Sequence, residues 1–351
     1  MEQVYKPLVS QGANPKDEVK QNVAKALAKA VADRDVRQFI KQEVIKQFDG
    51  DFDLFYAAKT DAKIGDETFG SVLQSRCQTK DNRGINVLEN NNISNTVPLL
   101  NISMPELSGL SANDWNTENF VPKVIFVPSD FDERSHEYVT AYDQDGNTHQ
   151  VSTKIEPDEL YIVVSESERV DASGKLKKGF ILNQNSQSVR VKKNNPPSVL
   201  RTNGYYEKIA WLLCPNLSTI ESWVYGVPEL RFVMVTVKDP ELASEIGYNI
   251  TDQILIPLSR RSIDNRWWNC EHNTGFKWDR PLYDNFYKIR WMEVDGGNTF
   301  GTTIGISGFT IGINMQSQDY NMGEMDILAS DPNFITRSLG SLLDQELTAV
   351  Q

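Results

Sequence analysis

The stretch LRFVMVTV at residues 230–237 decides the fold class, because it consists almost wholly of β-branched, aromatic and other apolar side chains. Such a composition is typical of a buried β-strand. Pro228 lies just before the run, where it does not interrupt strand pairing. The stretch therefore predicts a strand inside a β-rich region.

Similar short apolar runs recur through the chain after residue 96, separated by turn residues. They lie at residues 97–102, 122–127, 137–142, 160–164, 253–258, 287–294 and 303–313. The triplet Asp145-Gly146-Asn147 between two apolar stretches is a strong hairpin signal. Strands at this spacing, without alternating helices, favour antiparallel sandwiches over βαβ units.

The first 75 residues show a helical pattern instead. Between Asp17 and Phe48 apolar side chains recur every three to five positions, which makes one stripe on a helix. The cluster Asp33-Arg34-Asp35 interrupts the stripe, and we expect Asp35 to cap a second helix.

We therefore predict an α+β fold with an N-terminal helical segment followed by two mainly antiparallel β-sandwich-like regions. The predicted parts are the helical segment at residues 1–75, a polar linker at 76–96, a first β region at 97–200 and a second β region at 201–351. A short helical tail is expected near residues 338–347.

Charge and cysteine content exclude several classes of protein. The 351 residues include 36 basic and 48 acidic side chains, a formal net charge of −12, so general nucleic-acid binding is not expected. Three cysteines without a CxxC spacing exclude a disulfide scaffold and a zinc ribbon. No run of apolar residues is long enough for a transmembrane helix, and the chain begins without a signal-peptide pattern.

Catalytic motifs are absent from the sequence, so we expect no enzyme activity. The histidines His136, His149 and His272 fall in no HExxH motif and beside no GxSxG elbow. Cys270 and His272 are two positions apart and face the same side of a strand, but no orienting acid is evident. A hydrolase that uses paired carboxylates of the acidic region at 130–168 stays an alternative.

Calcium is the cofactor that the acidic loops suggest. Hard oxygen ligands are available in the second β region from Glu293, Asp295, Asp319 and Asp326. The sequence therefore predicts a calcium site at these four carboxylates.

Apolar and aromatic residues of the second β region are candidates for contact with a membrane or a partner. In the uncharged stretch around Ser307-Gly308, apolar residues alternate with small polar ones. The predicted contact residues are Trp267, Trp268, Ile304, Ile306, Phe309 and Ile311. A pore-forming or cytotoxic protein that inserts a hairpin at residues 299–314 is a second alternative.

Several phrases together resemble uncharacterised secreted or lipid-anchored proteins of Gram-negative bacteria. They are VAKALAKAVADRDVRQFIKQEVIKQFDGDFDLFY, YVTAYDQDGN, YIVVSESERV, STIESWVYGVPELRFVM and YKIRWMEVDGG. The resemblance implies export with the signal sequence removed. Within residues 223–330, a W-x-E-x-D strand followed by a D-x-x-x-G turn resembles C2-type β-sandwiches, which often bind calcium and lipid.

The function expected from these features is binding rather than catalysis. We expect a non-enzymatic exported protein that binds membrane lipid, a glycan or a protein at a surface, assisted by calcium and without nucleic acid.

Overall fold

The fold is taken from a computed structural model. It describes residues 14–77, 88–107, 109–132, 135–178, 180–182, 201, 203–238, 247–279, 285–295 and 299–350. Helices gather in the N-terminal part and strands form most of the rest. The predicted α+β class with several largely antiparallel sheets is therefore confirmed, although the first β region forms a single sheet packed against helices and not a sandwich.

The helices concentrate before residue 100. They are α1 (Pro15–Ala30), α2 (Arg34–Val44), α3 (Tyr56–Lys59), α4 (Phe69–Arg76), α5 (Asn90–Thr96) and α6 (Arg260–Ile263), with 3₁₀ turns at Ala112–Asp114 and Leu217–Thr219. The predicted break between two long helices is present, but Asp33 caps α2, not Asp35. Asp33 takes the cap because its carboxylate accepts the free Asp35 amide at 2.9 Å. Helix α5 lies in the predicted linker, of which residues 78–87 fall outside the described residues.

Strands make up the remaining ordered elements. In chain order they are β1 (Asp53–Phe55), β2 (Lys63–Ile64), β3 (Glu67–Thr68), β4 (Leu100–Ser103), β5 (Lys123–Phe126), β6 (Tyr138–Tyr142), β7 (Thr148–Ser152), β8 (Tyr161–Glu166), β9 (Phe180–Leu182), β10 (Tyr206–Leu213), β11 (Leu230–Val237), β12 (Tyr248–Ile256), β13 (Trp268–Lys277), β14 (Phe286–Glu293), β15 (Thr299–Ile306), β16 (Phe309–Gln316), β17 (Tyr320–Leu328), β18 (Ile335–Leu339) and β19 (Leu343–Val350).

The helices and the first strands form one unit, which we call the N-terminal unit. Its six-stranded sheet has the order β1-β4-β8-β5-β6-β7. Strands β5 and β8 are parallel, and the other neighbours in this sheet are antiparallel. Helix α1 packs on β5 and β8 and buries Val23 and Leu27, so the helical stripe supplies one side of this core.

The second unit is a sandwich of two sheets, which we call the sandwich. One sheet has the order β13-β10-β19-β18 and the other the order β17-β14-β11-β12-β9. Strand β11 lies inside the second sheet, and its Phe232 and Met234 point into the core between the sheets. Its Val233 and Val235 point to the opposite side, where they are also buried. Burial on both faces explains why residues 230–237 are apolar except for Arg231 and Thr236.

The hairpin β15–β16 covers the outer face of the sheet that contains β11. The arms pair from Thr299 with Gln316 to Ile306 with Phe309. Ile304, Ile306 and Ile311 of the hairpin pack on Val233 and Val235 of β11. The hairpin is therefore a third layer of the sandwich.

The predicted helical tail near residues 338–347 is wrong. This segment forms part of β18 and β19, and β19 is hydrogen-bonded to β10 on one side and β18 on the other. Leu343 and Leu347 are fully buried in the sandwich core. Local helix propensity is overridden here because pairing on both edges and burial of these side chains favour a strand.

The two units exchange short segments. Strand β9 leaves the N-terminal unit and pairs in parallel with β12 of the sandwich. In return, Trp223, which follows β10, is buried in the core of the N-terminal unit, where its indole nitrogen donates to the Ser152 carbonyl at 2.9 Å. The boundary between the units is therefore a packed contact.

Candidate functional site

A cleft of about 670 Å³ lies between the two units. The N-terminal unit contributes Lys16, Lys20 and Glu166, and the sandwich contributes Arg231 and Asp319. The other polar and aromatic side chains along it are Ser129, Ser165, Ser167, Glu168, Lys177, Lys178, Phe180, Tyr225, Asp295, Thr299, Asn314, Gln316 and Gln318. The remaining lining residues are apolar, so the cleft combines charged, neutral polar, aromatic and aliphatic groups.

Three carboxylates meet beside this cleft, and Asp295 is the one that lines it. Glu221 follows the 3₁₀ turn Leu217–Thr219, Glu293 ends β14, and Asp295 lies in the loop directly after it. One carboxylate oxygen from each lies within 4.8 Å of the other two. Glu221 and Glu293 have no solvent exposure, and Asp295 is exposed by 8% at the cleft wall. We call these three residues the floor triad.

Burial and like charge dominate the electrostatics of the floor triad. The pKa of Glu293 lies well above its usual value, first because the carboxyl is buried and then because Asp295 and Glu221 place negative charge beside it. Burial also raises the pKa of Glu168 well above its usual value, and the charges of Asp295 and Glu229 add to the effect. Glu293 and Glu168 therefore hold a proton more tightly than exposed carboxyl groups do.

A second buried group of charges lies behind the cleft, around Arg169. The Arg169 Nε donates to Glu229, and its Nη2 donates to the Val227 carbonyl at 2.6 Å and lies 3.6 Å from Asp51. Asp51 also accepts the Val227 amide at 2.9 Å. Because Arg169 and Asp51 belong to the N-terminal unit and Val227 and Glu229 lead into β11, this network joins the two units.

The three aspartates of the DGDFD sequence lie close to Arg169, and Asp53 is the one that a small cavity connects to the cleft. Burial raises the pKa of Asp53 well above its usual value, and the charges of Asp49 and Asp51 raise it further. Asn101 donates to Asp53 at 2.7 Å. A cavity of about 30 Å³ reaches Asp53 from the cleft side, which is room for one water molecule.

Of the four predicted calcium ligands, the fold brings three into one region and separates Asp326 from them. Glu293 and Asp295 lie together in the floor triad. Asp319 borders the cleft, but its carboxylate accepts the Gln316 amide at 2.8 Å and the Asp295 backbone amide, so it holds the Asp295 loop in place. Asp326 is half-exposed and forms an ion pair with Lys288 at 2.9 Å. It lies six residues beyond Tyr320 along β17, roughly 20 Å from the Glu293 end of the sheet.

Most of the predicted contact residues are buried. Trp268, Ile304, Ile306 and Ile311 belong to the sandwich cores, and Phe309 is partly buried against the hairpin core. Trp267 is exposed by 36%. In this fold, the set therefore presents one exposed side chain and not a continuous contact surface.

Cys270 and His272 do not form an activated pair. The Cys270 thiol donates to the Ile209 carbonyl at 3.1 Å, and burial raises its pKa to about 12, so the thiol stays protonated near neutral pH. The His272 Nε2 donates to Gln253 Oε1 at 2.5 Å, and burial lowers the pKa of His272 to about 4. The protonated thiol is a poor nucleophile, and both groups are hydrogen-bonded to other partners and not to each other.

The sequence pattern did not reveal Glu221 or Arg169 as site residues. Glu221 lies in the phrase STIESWVYG, which carries no ligand spacing with Glu293, because the fold brings them together from distant parts of the chain. The DGDFD sequence was one available signal, since three aspartates at alternate positions are unusual before a buried strand.

Comparisons of the chain with protein-family models, with curated proteins and with solved structures find no match. Among the described residues, every helix is too short or too polar to span a lipid bilayer.

Proposed function

We propose that this chain is a non-enzymatic, exported binding protein that holds a glycan in the cleft between its two units. The observation that carries the proposal is the cleft of about 670 Å³, whose size falls within the range of small-ligand sites, roughly 300–1,000 Å³. Its position between two units is also typical of ligand sites.

The lining of the cleft supports a polyhydroxylated ligand over an apolar one. Sugar hydroxyls donate and accept hydrogen bonds, and the cleft offers acceptors such as Asp319 and donors such as Lys178 and Gln316. Tyr225 and Phe180 add aromatic surface of the kind on which sugar rings pack. Lipid binding is less favoured, because the acidic side chains of the floor triad are buried and not exposed on a protruding loop.

Binding rather than catalysis is supported by the state of the reactive groups. The Cys270 thiol is protonated and paired with a carbonyl. In the acidic region, Asp143 accepts the Asn147 amide at 2.8 Å and contacts His149 Nε2 at 2.9 Å, so its carboxylate stabilises a turn. The C2-like arrangement of the second β region is part of the proposal, supported by its two stacked sheets.

A glycan array probed with the labelled full chain, followed by calorimetry with the glycan that is retained, tests the cleft. Thr299 is exposed and borders the cleft, so Thr299→Trp is expected to weaken binding at least tenfold by filling the entrance. Thr303 is exposed on the same side of β15 but does not border the cleft, so Thr303→Trp is the matched control and should bind normally.

Three outcomes contradict the proposal. They are the absence of any retained glycan, equal loss in the two variants, and cleavage of the bound glycan, which would favour the hydrolase alternative. Binding to anionic liposomes without binding to glycans would favour the membrane alternative. Export is tested separately by fractionating cells that produce the chain, and protein confined to the cytoplasm would contradict it.

A further inference from the structure

We infer that Glu221, Glu293 and Asp295 form a binding site for a hard divalent cation, with calcium favoured over magnesium. The geometric basis is the convergence of one oxygen from each carboxylate to within 4.8 Å. Two oxygens that bind one calcium ion at 2.3–2.6 Å lie at most about 5 Å apart. The floor triad is therefore compatible with a shared ion.

Glu293 supplies an independent reason to expect a ligand. Its side chain has no solvent exposure. Among the described residues, no amide, hydroxyl or basic group donates a hydrogen bond to either of its oxygens. A buried carboxyl without a donor is destabilising unless a proton or a cation compensates it.

A cation satisfies this arrangement better than protons do. A shared proton can join the Glu293 carboxyl to Glu221, but it satisfies one oxygen of each group and leaves Asp295 as a further acceptor nearby. A cation at the centre contacts all three carboxylates at once. Asp295 borders the cleft, so an ion has an entry path from solvent.

The donor atoms determine the class of ion. Within the described part of the chain, the cluster contains carboxylates and neither histidine nor cysteine, which favours hard cations over zinc or copper. Magnesium dehydrates reluctantly and keeps several waters. Because Glu221 and Glu293 are fully buried, an ion between them must lose most of its water on that side, and calcium loses water more readily.

The site also has a structural consequence. Glu221 precedes Trp223, which is buried in the N-terminal unit, whereas Glu293 ends a strand of the sandwich. A bound ion therefore ties the Trp223 segment to the sandwich beside the cleft. This inference does not rest on glycan binding, since an ion can bind beside an otherwise empty cleft.

Calorimetry and thermal unfolding of the chelator-treated full chain test the site with calcium chloride and magnesium chloride as probes. We expect one calcium ion per chain at the floor triad and a rise in melting temperature of at least about 3 °C at saturating calcium. Magnesium should give a smaller rise at the same concentration. A shift with neither ion, in a protein shown to be free of bound metal, would overturn the inference.

Variants of the carboxylates locate the site. Glu293→Gln and Asp295→Asn should each weaken calcium binding at least tenfold. Glu293→Gln should leave the ion-free protein as stable as the wild type or more stable, because it replaces a buried acidic group that has acidic neighbours and forms no ion pair with a described residue. This result also shows that the variant folds.

Asp326→Asn is the matched control, because Asp326 was a sequence-predicted ligand and pairs with Lys288 on the exposed sheet edge. It should retain normal calcium binding. Loss of binding in Asp326→Asn together with normal binding in Glu293→Gln would place the ion elsewhere and refute the inference.

Discussion

At the scale of single residues, Gly226 allows the two units to approach each other. Its φ of +92° lies in the left-handed region that favours glycine. A Cβ at this position would overlap Asp51 Oδ2, the atom that accepts the Val227 amide. Gly226 therefore fixes the contact between the Asp51 loop and the segment that leads into β11.

Substitution of Gly226 by alanine should destabilise the protein by about 1–3 kcal/mol beyond the conformational cost of a left-handed alanine. The extra cost arises because Asp51 must move away from the Val227 amide. Gly146→Ala is the control, since Gly146 has a similar φ of +88° and open space where the alanine Cβ would lie. Urea unfolding of the two variants measures the difference, and equal losses of stability would contradict this role of Gly226.

His272 gives the folding free energy a defined pH dependence. Its pKa is about 4 in the fold and about 6.5 when unfolded, so the unfolded chain binds the extra proton between these values. The contribution of neutral His272 is therefore fully present above pH 6.5 and is lost as the pH falls towards 4. The cause is burial beside Gln253 and the edge of the Phe232 ring.

His272→Gln should remove this part of the pH dependence. As the pH falls from 7.5 to 5, the free energy of unfolding of the wild type should decrease more than that of the variant. The difference should be on the order of 1 kcal/mol, after allowance for partial exposure of His272. Chemical denaturation at the two pH values measures the change. A constant difference between wild type and variant would show that His272 titrates normally in the folded protein.

At the scale of elements, the hairpin β15–β16 is a covering layer with two unlike faces. Ile306 packs against β11 and has only 3% of its surface exposed, whereas Thr303 faces solvent. The pore alternative requires this hairpin to leave β11 and expose both Ile304 and Val235. The burial of the hairpin favours a structural role.

Ile306→Asp should therefore lower the free energy of unfolding by at least about 3 kcal/mol, because it buries a charge without a partner. Thr303→Asp should change it by about 0.5 kcal/mol or less. Thermal unfolding measures both. The same preparations should release no dye from liposomes, and leakage by the wild type that Ile306→Asp abolishes would favour the pore alternative.

Elements with one dominant burial pattern could be predicted from the sequence, and those decided by distant contacts could not. The helical stripe of α1 and α2 and the mostly apolar run of β11 are local signals, and the structure contains both. Strand β19 has a locally helical composition and becomes a strand because β10 and β18 pair with its two edges. Two residues of the candidate site, Glu293 and Asp295, were predicted because they are close in sequence. Glu221 was not predicted, because only tertiary packing brings it to them.

At the scale of the whole molecule, the exchange of segments couples the two units. Trp223 lies in the N-terminal core, β9 extends a sandwich sheet, and Arg169 joins carboxylates from both sides. Separate unfolding of either unit would expose these buried groups. We therefore expect the units to unfold together.

Hydrogen exchange measured across a urea series tests this coupling. Peptides from β8 and β14 should lose protection at the same urea concentration. Arg169→Met should lower the free energy of unfolding by about 3–5 kcal/mol and shift both peptides together, because it leaves Glu229 and Asp51 buried without their cation. Two separate transitions in the wild type would contradict the coupling.

The proposed binding of a divalent cation by Glu221, Glu293 and Asp295 is the central claim about the site, and it would add a further link between the two units. Anomalous diffraction from crystals grown with manganese, which accepts the same oxygen ligands, tests it most directly. We predict an anomalous peak within about 2.5 Å of oxygens from Glu221, Glu293 and Asp295. A floor triad without a peak in crystals that hold manganese elsewhere would contradict cation binding at this site.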